Sequence, residues 1–517
     1  MRAAAQERER GATGGAAQGP RSEHDVRLLH HVAPPDWRNP RAAGRYHLAV
    51  VGAGTGGLVS AAIAAALGAR VALIERHRMG GDCLNVGCVP SKALLAAAHA
   101  WATAAGAAPE FHGPAATGDG DFAAVMERMR RLRADLSPVD SAERFRQLGV
   151  DVFFGEARFV GADALAVGGQ RLRFQRAVIA TGSQPRVPEV PGLAEAGYLT
   201  NENVFELRRR PARLAILGGG AIGCELAQAF ARLGCRVTLL EAAPCILPNA
   251  DADAARLLAS VLRHDGVRLV TEAEVRAVLR HGQTRVLRYA RRGVSSQVVA
   301  DELLVAVGRV PQVEGLGLQA AGVRYGPAGV EVDEELRTSN PHVFAVGDVV
   351  AGRPHYTHAA DAQARLVVQN ALFFGHRRAS ELVIPSVVYT RPEVAHVGLA
   401  PDEARRQAGR VQTITVPFAD VDRARLEGDE SGFLRVHLRA GSDEVLGATV
   451  VGEHAGELIA PLALAMTAGL GLDALGRTVF PYPTRAEILR KAADAWRRAK
   501  LTPLAKSALG LYFRLRG

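Results

Sequence analysis

Cysteine is scarce in this chain, with five in 517 residues. So few exclude the disulfide-dense framework of a small secreted domain. The first 40 residues lack a basic start followed by an apolar run, so no secretory leader is expected there. Long hydrophobic runs are missing too. The most apolar stretch, residues 48–75, is broken by Gly52, Gly54, Gly56 and Gly57 and stops at Glu75. It therefore reads as strand, turn and helix, not as a membrane span. No nucleic-acid motif is present, and the basic residues behind the net charge of +10 are mostly scattered, as on a solvated surface. A cytoplasmic location is expected, where a close cysteine pair is catalytic or redox-sensing. With 48% hydrophobic and 22% charged residues, the chain should be globular and too long for one core, so two or three domains are expected.

What the chain does contain is one glycine-rich device used twice. In "HLAVVGAGTGGLVSAAIAAALGARVALIE" (His47–Glu75) a strand over Leu48–Val51 runs into Gly52, Gly54 and Gly57, then a small-residue helix, then a second strand over Arg70–Ile74 and Glu75. Gly52 allows the tight turn, Gly54 lets the backbone approach a pyrophosphate, and Gly57 lets helix and strand pack closely. The helix N-terminus offers NH groups to the phosphates, and Glu75 can accept from a ribose. "RLAILGGGAIGCELAQAFARLGCRVTLLE" (Arg213–Glu241) repeats the pattern with Gly218, Gly220, Gly223 and Glu241. Two dinucleotide sites on one chain suit electron transfer between two nucleotide cofactors. An acid at 241 favours a free 2′-hydroxyl and repels a 2′-phosphate, and Ala242–Cys245 offer no arginine, so NADH is expected over NADPH. Arg276 is a more distant base that could still reach the site.

Between these units lies "GGDCLNVGCVPSKALL" (Gly80–Leu95), with Cys83 and Cys88. A redox disulfide, a metal clip and two core thiols are the candidate readings. Zinc would want further Cys or His at short spacing, which the neighbourhood lacks; buried inert thiols are common in cores. A disulfide needs Cα atoms about 4.4–6.8 Å apart, whereas five steps of regular helix rise about 7.5 Å. A paired segment cannot then be a straight helix; Gly87 can bend it, and Pro90 fits a first helical turn. Thiols at a helix start are acidified by the NH dipoles. Cys224, Cys235 and Cys245 read as packing residues, Cys245 being the one to check for reactivity.

Further motifs follow in order: "VIATGSQPRVPEVPG" (Val178–Gly192), "LLVAVGRVPQ" (Leu303–Gln312), "TSNPHVFAVGDV" (Thr338–Val349), "IPSVVYTRPEVAHVGL" (Ile384–Leu399) and "VFPYPTRAEILRKAADAW" (Val479–Trp496). Together with the glycine loops and the cysteine pair, they make residues 46–500 resemble the class I pyridine nucleotide–disulfide oxidoreductases, closest to the mercuric reductase-like and dihydrolipoamide dehydrogenase-like flavoproteins. The resemblance implies an α/β fold with two Rossmann-like dinucleotide-binding domains, for FAD and NAD(P), and an α+β C-terminal dimerisation domain. It implies FAD and NADH as cofactors and a homodimer. It makes Cys83–Cys88 the redox disulfide, Cys88 the thiolate beside the flavin and Cys83 the outer interchange thiol. Lys92 would pair with Glu225; Thr181, Gly182 and Asp348 would serve FAD, and Arg309 would serve NAD(P). The implied domains are an N-terminal extension over 1–45, the FAD domain over 46–185 and 305–378, the NAD(P) domain over 186–304, the dimerisation domain over 379–500 and a basic tail over 501–517.

The substrate end departs from the lipoamide and glutathione reductase pattern. Aligned on Pro483 and Glu487, the acid–base histidine of those enzymes is Tyr482 here. Histidine titrates near pH 6.5 and tyrosine near 10, so proton exchange at neutral pH is weakened. A tyrosine here resembles mercuric reductase, yet no cysteine follows Cys245 and no GMTCxxC segment precedes residue 46. Electron delivery through Cys83–Cys88 to a disulfide or a soft metal ion such as Hg(II) is expected, with no resident metal; dihydrolipoamide dehydrogenase-type reduction and a flavin redox sensor are the alternatives. His454 reads as structural. Residues 1–22 read as disordered, with His30 and His31 solvated. The basic tail from Arg490 reads as a packed or solvated helix in preference to a peripheral membrane contact.

Overall fold

Alternation in the first strand sets the inner architecture. The computed structural model describes residues 22–112, 118, 120–501 and 503–516. Strand β1 (Arg45–Val51) sends Leu48 and Val50 to one face and Ala49 and Val51 to the other. Both faces are covered, so the strand is almost wholly apolar, as a parallel sheet requires. Helix α1 (Glu23–Val32) precedes it, and helix α2 (Thr55–Ala66) leads to β2 (Val71–Glu75). Two helices then carry the cysteine segment, α3 (Gly81–Asn85) and α4 (Cys88–Phe111). The sheet is completed by β3 (Val150–Phe154), β4 (Arg158–Gly161), β5 (Ala164–Val167) and β6 (Gln170–Ile179) in the order β3-β2-β1-β6-β5-β4. Strands β1, β2, β3 and β6 run parallel, while β4 and β5 fold back antiparallel.

The second glycine unit repeats this plan. After the short β7 (Ser183–Pro185), strand β8 (Arg213–Leu217), helix α5 (Ala221–Arg232), β9 (Arg236–Leu240) and β10 (Arg268–Val270) build a parallel sheet. A three-stranded antiparallel layer follows, β11 (Ala273–His281), β12 (Thr284–Arg291) and β13 (Val294–Ala300). Strand β14 (Glu302–Val305) returns beside β8, giving the order β10-β9-β8-β14. Strand β15 (Arg309–Pro311) pairs with β7, and β16 (Val343–Ala345) pairs with β6 of the first sheet. Helix α6 (Thr357–Leu372) ends this part.

The chain divides into two compact units. One comprises Met1–Ile246 and Leu262–Leu382, the other Leu247–Val261 and Val383–Gly517. The second holds a five-stranded antiparallel sheet over residues 386–452, with its own core built on Phe418, Leu434, Val450, Leu462 and Ile488. Helix α7 (Glu487–Ala499) buries Ile488, Leu489, Ala492, Ala493 and Trp496, whereas helix α8 (Pro503–Arg516) buries no residue. The tail is thus helical, with none of its residues buried.

The N-terminal extension needs correcting. Residues 1–21 lie outside the described residues, but Ser22, grouped with them as disordered, is the N-cap of α1 in a capping box with Asp25. Leu28 and Val32 join the core that contains Met79 and Leu84, and Val32 O accepts from Met79 N at 2.9 Å. Asp25 is buried among Arg133 (3.0 Å), Arg208 (3.6 Å) and Arg130 (3.8 Å). His30 is exposed, as expected, and His31 is half-buried: its Nδ1 lies 2.7 Å from Ser137 Oγ, and partial burial lowers its pKa. A ten-residue helix inside an Ala-, Gly- and Arg-rich stretch is too short for its apolar spacing to stand out.

Candidate active site

Backbone geometry places the cysteine pair. Gly80 and Gly81 take left-handed φ values of 87° and 54° and start α3. Helix α3 stops at Asn85, and Val86 (φ −144°) and Gly87 make the bend before Cys88 starts α4. A Cβ on Gly87 would meet Asp82 O at 2.8 Å, so this glycine is needed for close approach of the chain to itself. Pro90 is the third residue of α4, where no intrahelical NH is lost.

Cys83 and Cys88 are half-buried thiols, unbonded to each other in this structure. They share a hydrogen bond that pulls Cys88 down to about 6, helped by the Thr357 hydroxyl and the Lys92 charge against the pull of burial and Glu225. Thr357 Oγ1 lies 3.3 Å from Cys88 Sγ. The same sulfur–sulfur hydrogen bond, with burial, pushes Cys83 up. The pair is polarised: Cys88 carries the thiolate and Cys83 keeps its proton. One turn along α4, Lys92 Nζ meets Glu225 Oε2 of α5 at 2.7 Å, with Glu225 only 6% exposed.

The two glycine loops are near copies. Gly52 and Gly218 have φ of 103° and 104°, and a Cβ on either would lie 2.4 Å from a carbonyl, of Ala180 or Ala306. A Cβ on Gly57 would lie 1.8 Å from Gly52 O, and one on Gly223 1.9 Å from Gly218 O. Gly54 and Gly220 cap α2 and α5, and the space about a Cβ at Gly220 is open within 4 Å. Glu75 accepts from Ala53 N and His77 N, both at 2.8 Å; Glu241 accepts from Gly219 N (2.5 Å) and Ala243 N (2.7 Å). Each acid ties down its own loop from the end of the next strand, and burial raises the pKa of Glu75. Glycine-rich loops, closed by an acid and opening at a helix start, fit dinucleotide phosphates.

Asp348 sits in a turn after Gly347 (φ 75°) and accepts from Ser183 Oγ at 2.7 Å. Gly182 is left-handed at 68°, and Thr181 Oγ1 donates to Gln312 O at 2.7 Å. Arg309, expected on NAD(P), gathers with the Asp348 group. Its guanidinium donates to Ser183 Oγ (2.6 Å), Ser183 O (2.9 Å) and Asn201 Oδ1 (3.3 Å), pairs with Asp82, and lies 3.8 Å from Asp348. The cause is the β7–β15 pairing, which sets Arg309 opposite Pro185, two residues from Ser183.

Tyr482 and Glu487 belong to the second unit. Tyr482 is 70% exposed, and its hydroxyl donates to Asp422 Oδ2 at 3.1 Å, which raises its pKa. Glu487 starts α7 and is buried; Arg490 donates to its Oε1 at 2.9 Å, and its Oε2 is buried without a partner. His454 has φ 60° ahead of a four-residue helix and serves the backbone there. Cys224 and Cys235 are buried, and burial raises both, Cys235 to about 12. Cys245 is exposed and is not a packing residue, because the chain leaves the core after β9.

Three features escaped the sequence. Thr357 is nine residues past Asp348 and belongs to no spaced motif. Asp82, Ser183 and Asn201 meet only through Arg309. Arg133, from the helix over Phe122–Leu136, donates to Asn85 O at the end of α3 (2.8 Å) while binding Asp25.

The chain's relatives agree with this geometry. Residues 46–364 match the family described as pyridine nucleotide-disulphide oxidoreductase, and residues 384–493 match its dimerisation domain. Mercuric reductase of Streptomyces lividans is 37% identical over 458 residues, covering 87% of this chain and 96% of that protein. Dihydrolipoyl dehydrogenase of Thermus scotoductus is 38% identical over 466 residues, covering 87% and 97%. The HOCl-induced flavoprotein disulfide reductase RclA of Escherichia coli, solved as a Cu(II) complex, is 29% identical with a TM-score of 0.77, covering 87% of this chain and 99% of that one. Two glycine loops, a polarised cysteine pair and matches along nearly the whole chain lead to one family: the chain belongs to the pyridine nucleotide-disulphide oxidoreductases, which use FAD and NAD(P)H.

Proposed function

We propose that this chain takes electrons from NADH through FAD to the Cys83–Cys88 pair and passes them to a soft metal ion such as Hg(II). The observation that carries this reading is the polarised thiol pair beside the Lys92–Glu225 ion pair. Bound FAD supplies the two-electron relay between the nicotinamide and sulfur. Gly52, Gly54 and Gly57, with Glu75, Thr181, Gly182 and Asp348, would hold it, while Gly218, Gly220, Gly223 and Glu241 would hold NADH. Arg309, through Ser183, orients the Asp348 carboxylate.

Two electrons and one proton opening a Cys83–Cys88 disulfide give the Cys83 thiol and the Cys88 thiolate, and the hydrogen bonds around Cys88 favour that distribution. A disulfide substrate would then need Cys83 deprotonated and a proton returned to the leaving thiol. Tyr482, raised above an ordinary tyrosine by Asp422, is a poor exchanger at neutral pH. A soft metal ion needs no proton donor, since thiolate ligation itself releases the Cys83 proton. The overall balance is one hydride from NADH and one Hg(II) consumed, with NAD+, one proton and Hg(0) produced. A structural relative was solved as a Cu(II) complex, which supports a metal ion as the acceptor. The matched dimerisation domain supports a homodimer, with Tyr482 and Glu487 offered to the partner's cysteine pair.

The test is anaerobic titration of the holoenzyme with NADH, followed by thiol counting and addition of Hg(II) or an oxidised dithiol. The expected result is two new thiols per chain, a long-wavelength absorption band lost in Cys88→Ser, and reoxidation by the metal ion in preference to the dithiol. Flavin bleaching without new thiols overturns the reading. Preferential reoxidation by the dithiol moves it to a disulfide reductase, and failure of both acceptors to sustain NADH consumption moves it to a redox sensor.

A further inference from the structure

The last helix is exposed along most of its length, with only Ala505 and Gly510 half-buried. None of the residues of α8 is buried, and Leu504, Leu511, Phe513 and Leu515 are 83%, 57%, 67% and 81% exposed. Leu504, Ala508, Leu511 and Leu515 recur at helical spacing and form one face, continued round the helix through Tyr512 and Leu509 to Phe513, which borders Lys506. Lys506, Gly510 and Arg514, four apart, form the opposite stripe with Ser507. Arg516 alone falls on the apolar side, where its guanidinium lies over the Tyr512 ring at 5.5 Å and donates to Tyr512 Oη at 2.6 Å. A long cation lying along an aromatic ring can carry its charge up to a polar boundary.

We infer that α8 docks the enzyme on an anionic lipid surface, lying in the plane of the interface. Charge identifies the occupant: no acid occurs from Ala495 to Gly517, while Arg497, Arg498, Lys500, Lys506, Arg514 and Arg516 do. Two copies of this tail would bring like charges together, and the dimerisation-domain match ends at residue 493, before the helix begins. Nucleic acid would satisfy the cations but leave the broad apolar face in water. Fourteen residues of helix span about 21 Å, less than the roughly 30 Å of a hydrocarbon core. The helix is too short to cross, and it is built to lie half immersed with its cations among headgroups.

The test is flotation of the full-length, FAD-loaded enzyme with vesicles of phosphatidylcholine alone or with added phosphatidylglycerol, at low and raised salt. Each basic residue near an anionic surface strengthens partitioning about fivefold, so Lys506, Arg514 and Arg516 together contribute about a hundredfold. The expected result is salt-sensitive flotation with anionic vesicles only. It should be lost in the Leu504→Ser/Leu511→Ser/Leu515→Ser variant and in a chain ending at Leu501, both keeping their flavin and their NADH consumption. No flotation, equal flotation with both vesicle types, or a tail-dependent gain in molecular mass without flotation would each overturn the assignment. Because flotation is read without an electron acceptor, its failure leaves the redox reading untouched.

Discussion

Replacing Thr357 by valine removes the hydroxyl 3.3 Å from Cys88 Sγ while keeping the branched shape at the start of α6. Cys88 stands at about 6 because the Cys83 hydrogen bond, the Thr357 hydroxyl and the Lys92 charge together outweigh burial and Glu225. A hydrogen bond to a charged acceptor is worth about 1.5 kcal/mol, and about 1.4 kcal/mol is one pKa unit. Thr357→Val should therefore raise Cys88 by about one unit, to near 7. The assay is the pH dependence of alkylation of the dithiol form, prepared with a reductant that is then removed and followed by mass at Cys88. Wild type should give a rising limb centred near pH 6, and the variant a limb shifted to higher pH with the same plateau. Cys83→Ala, which removes the first contributor, should shift it further, while Cys83→Ser retains a donor and should shift it least. A limb that stays in place in Thr357→Val, or moves to lower pH, would refute the reasoning, as would equal shifts in the alanine and serine variants.

Gly223→Ala puts a Cβ 1.9 Å from Gly218 O and should leave a flavin-loaded protein whose KM for NADH rises at least tenfold; flavin content and steady-state kinetics read the two halves separately. Lys92→Met leaves the Glu225 carboxylate buried without its cation and should destabilise the fold by about 2 kcal/mol, less than a fully buried pair because Lys92 is 35% exposed; the denaturant midpoint checks it, and Lys92→Met/Glu225→Leu should recover part of the loss. Tyr482→His supplies a group titrating near neutrality and should raise turnover with an oxidised dithiol relative to Hg(II), read as the ratio of the two kcat/KM values. Asp25→Ala leaves Arg130 and Arg133 buried without their shared carboxylate and should lower stability by about 3 kcal/mol, measured by thermal unfolding of the flavin-loaded protein.

Much of the fold was readable because it rests on local patterns. Gly52–Gly57 and Gly218–Gly223 each sit between a short apolar strand and a small-residue helix, and the structure puts strand, turn and helix there in both cases. The break between Cys83 and Cys88 followed from the rise of a helix, and it falls at Val86 and Gly87. Lys92 and Glu225 were paired by resemblance, and they meet at 2.7 Å. Helix α1 was not legible, since ten residues give little periodicity and its anchor is Asp25, whose arginine partners at 130, 133 and 208 come from far along the chain. The contacts of Arg309 with Ser183 and Asp82 were not legible either, because strand pairing, not spacing, decides where its guanidinium points.

Spacing along the chain determined the two dinucleotide loops and the candidate thiol pair, because each depends on residues within about 30 positions of one another, and the tyrosine in place of a histidine at position 482 was read from the resemblance. The tertiary structure alone decided which thiol is acidic, since Thr357 reaches Cys88 from a helix that starts more than 250 residues later. It alone showed that Glu75 and Glu241 clamp their own loops, and that the basic tail is a helix with no core of its own to cover. Hydrogen bonds and burial act across space, and a linear pattern does not record which distant side chain arrives.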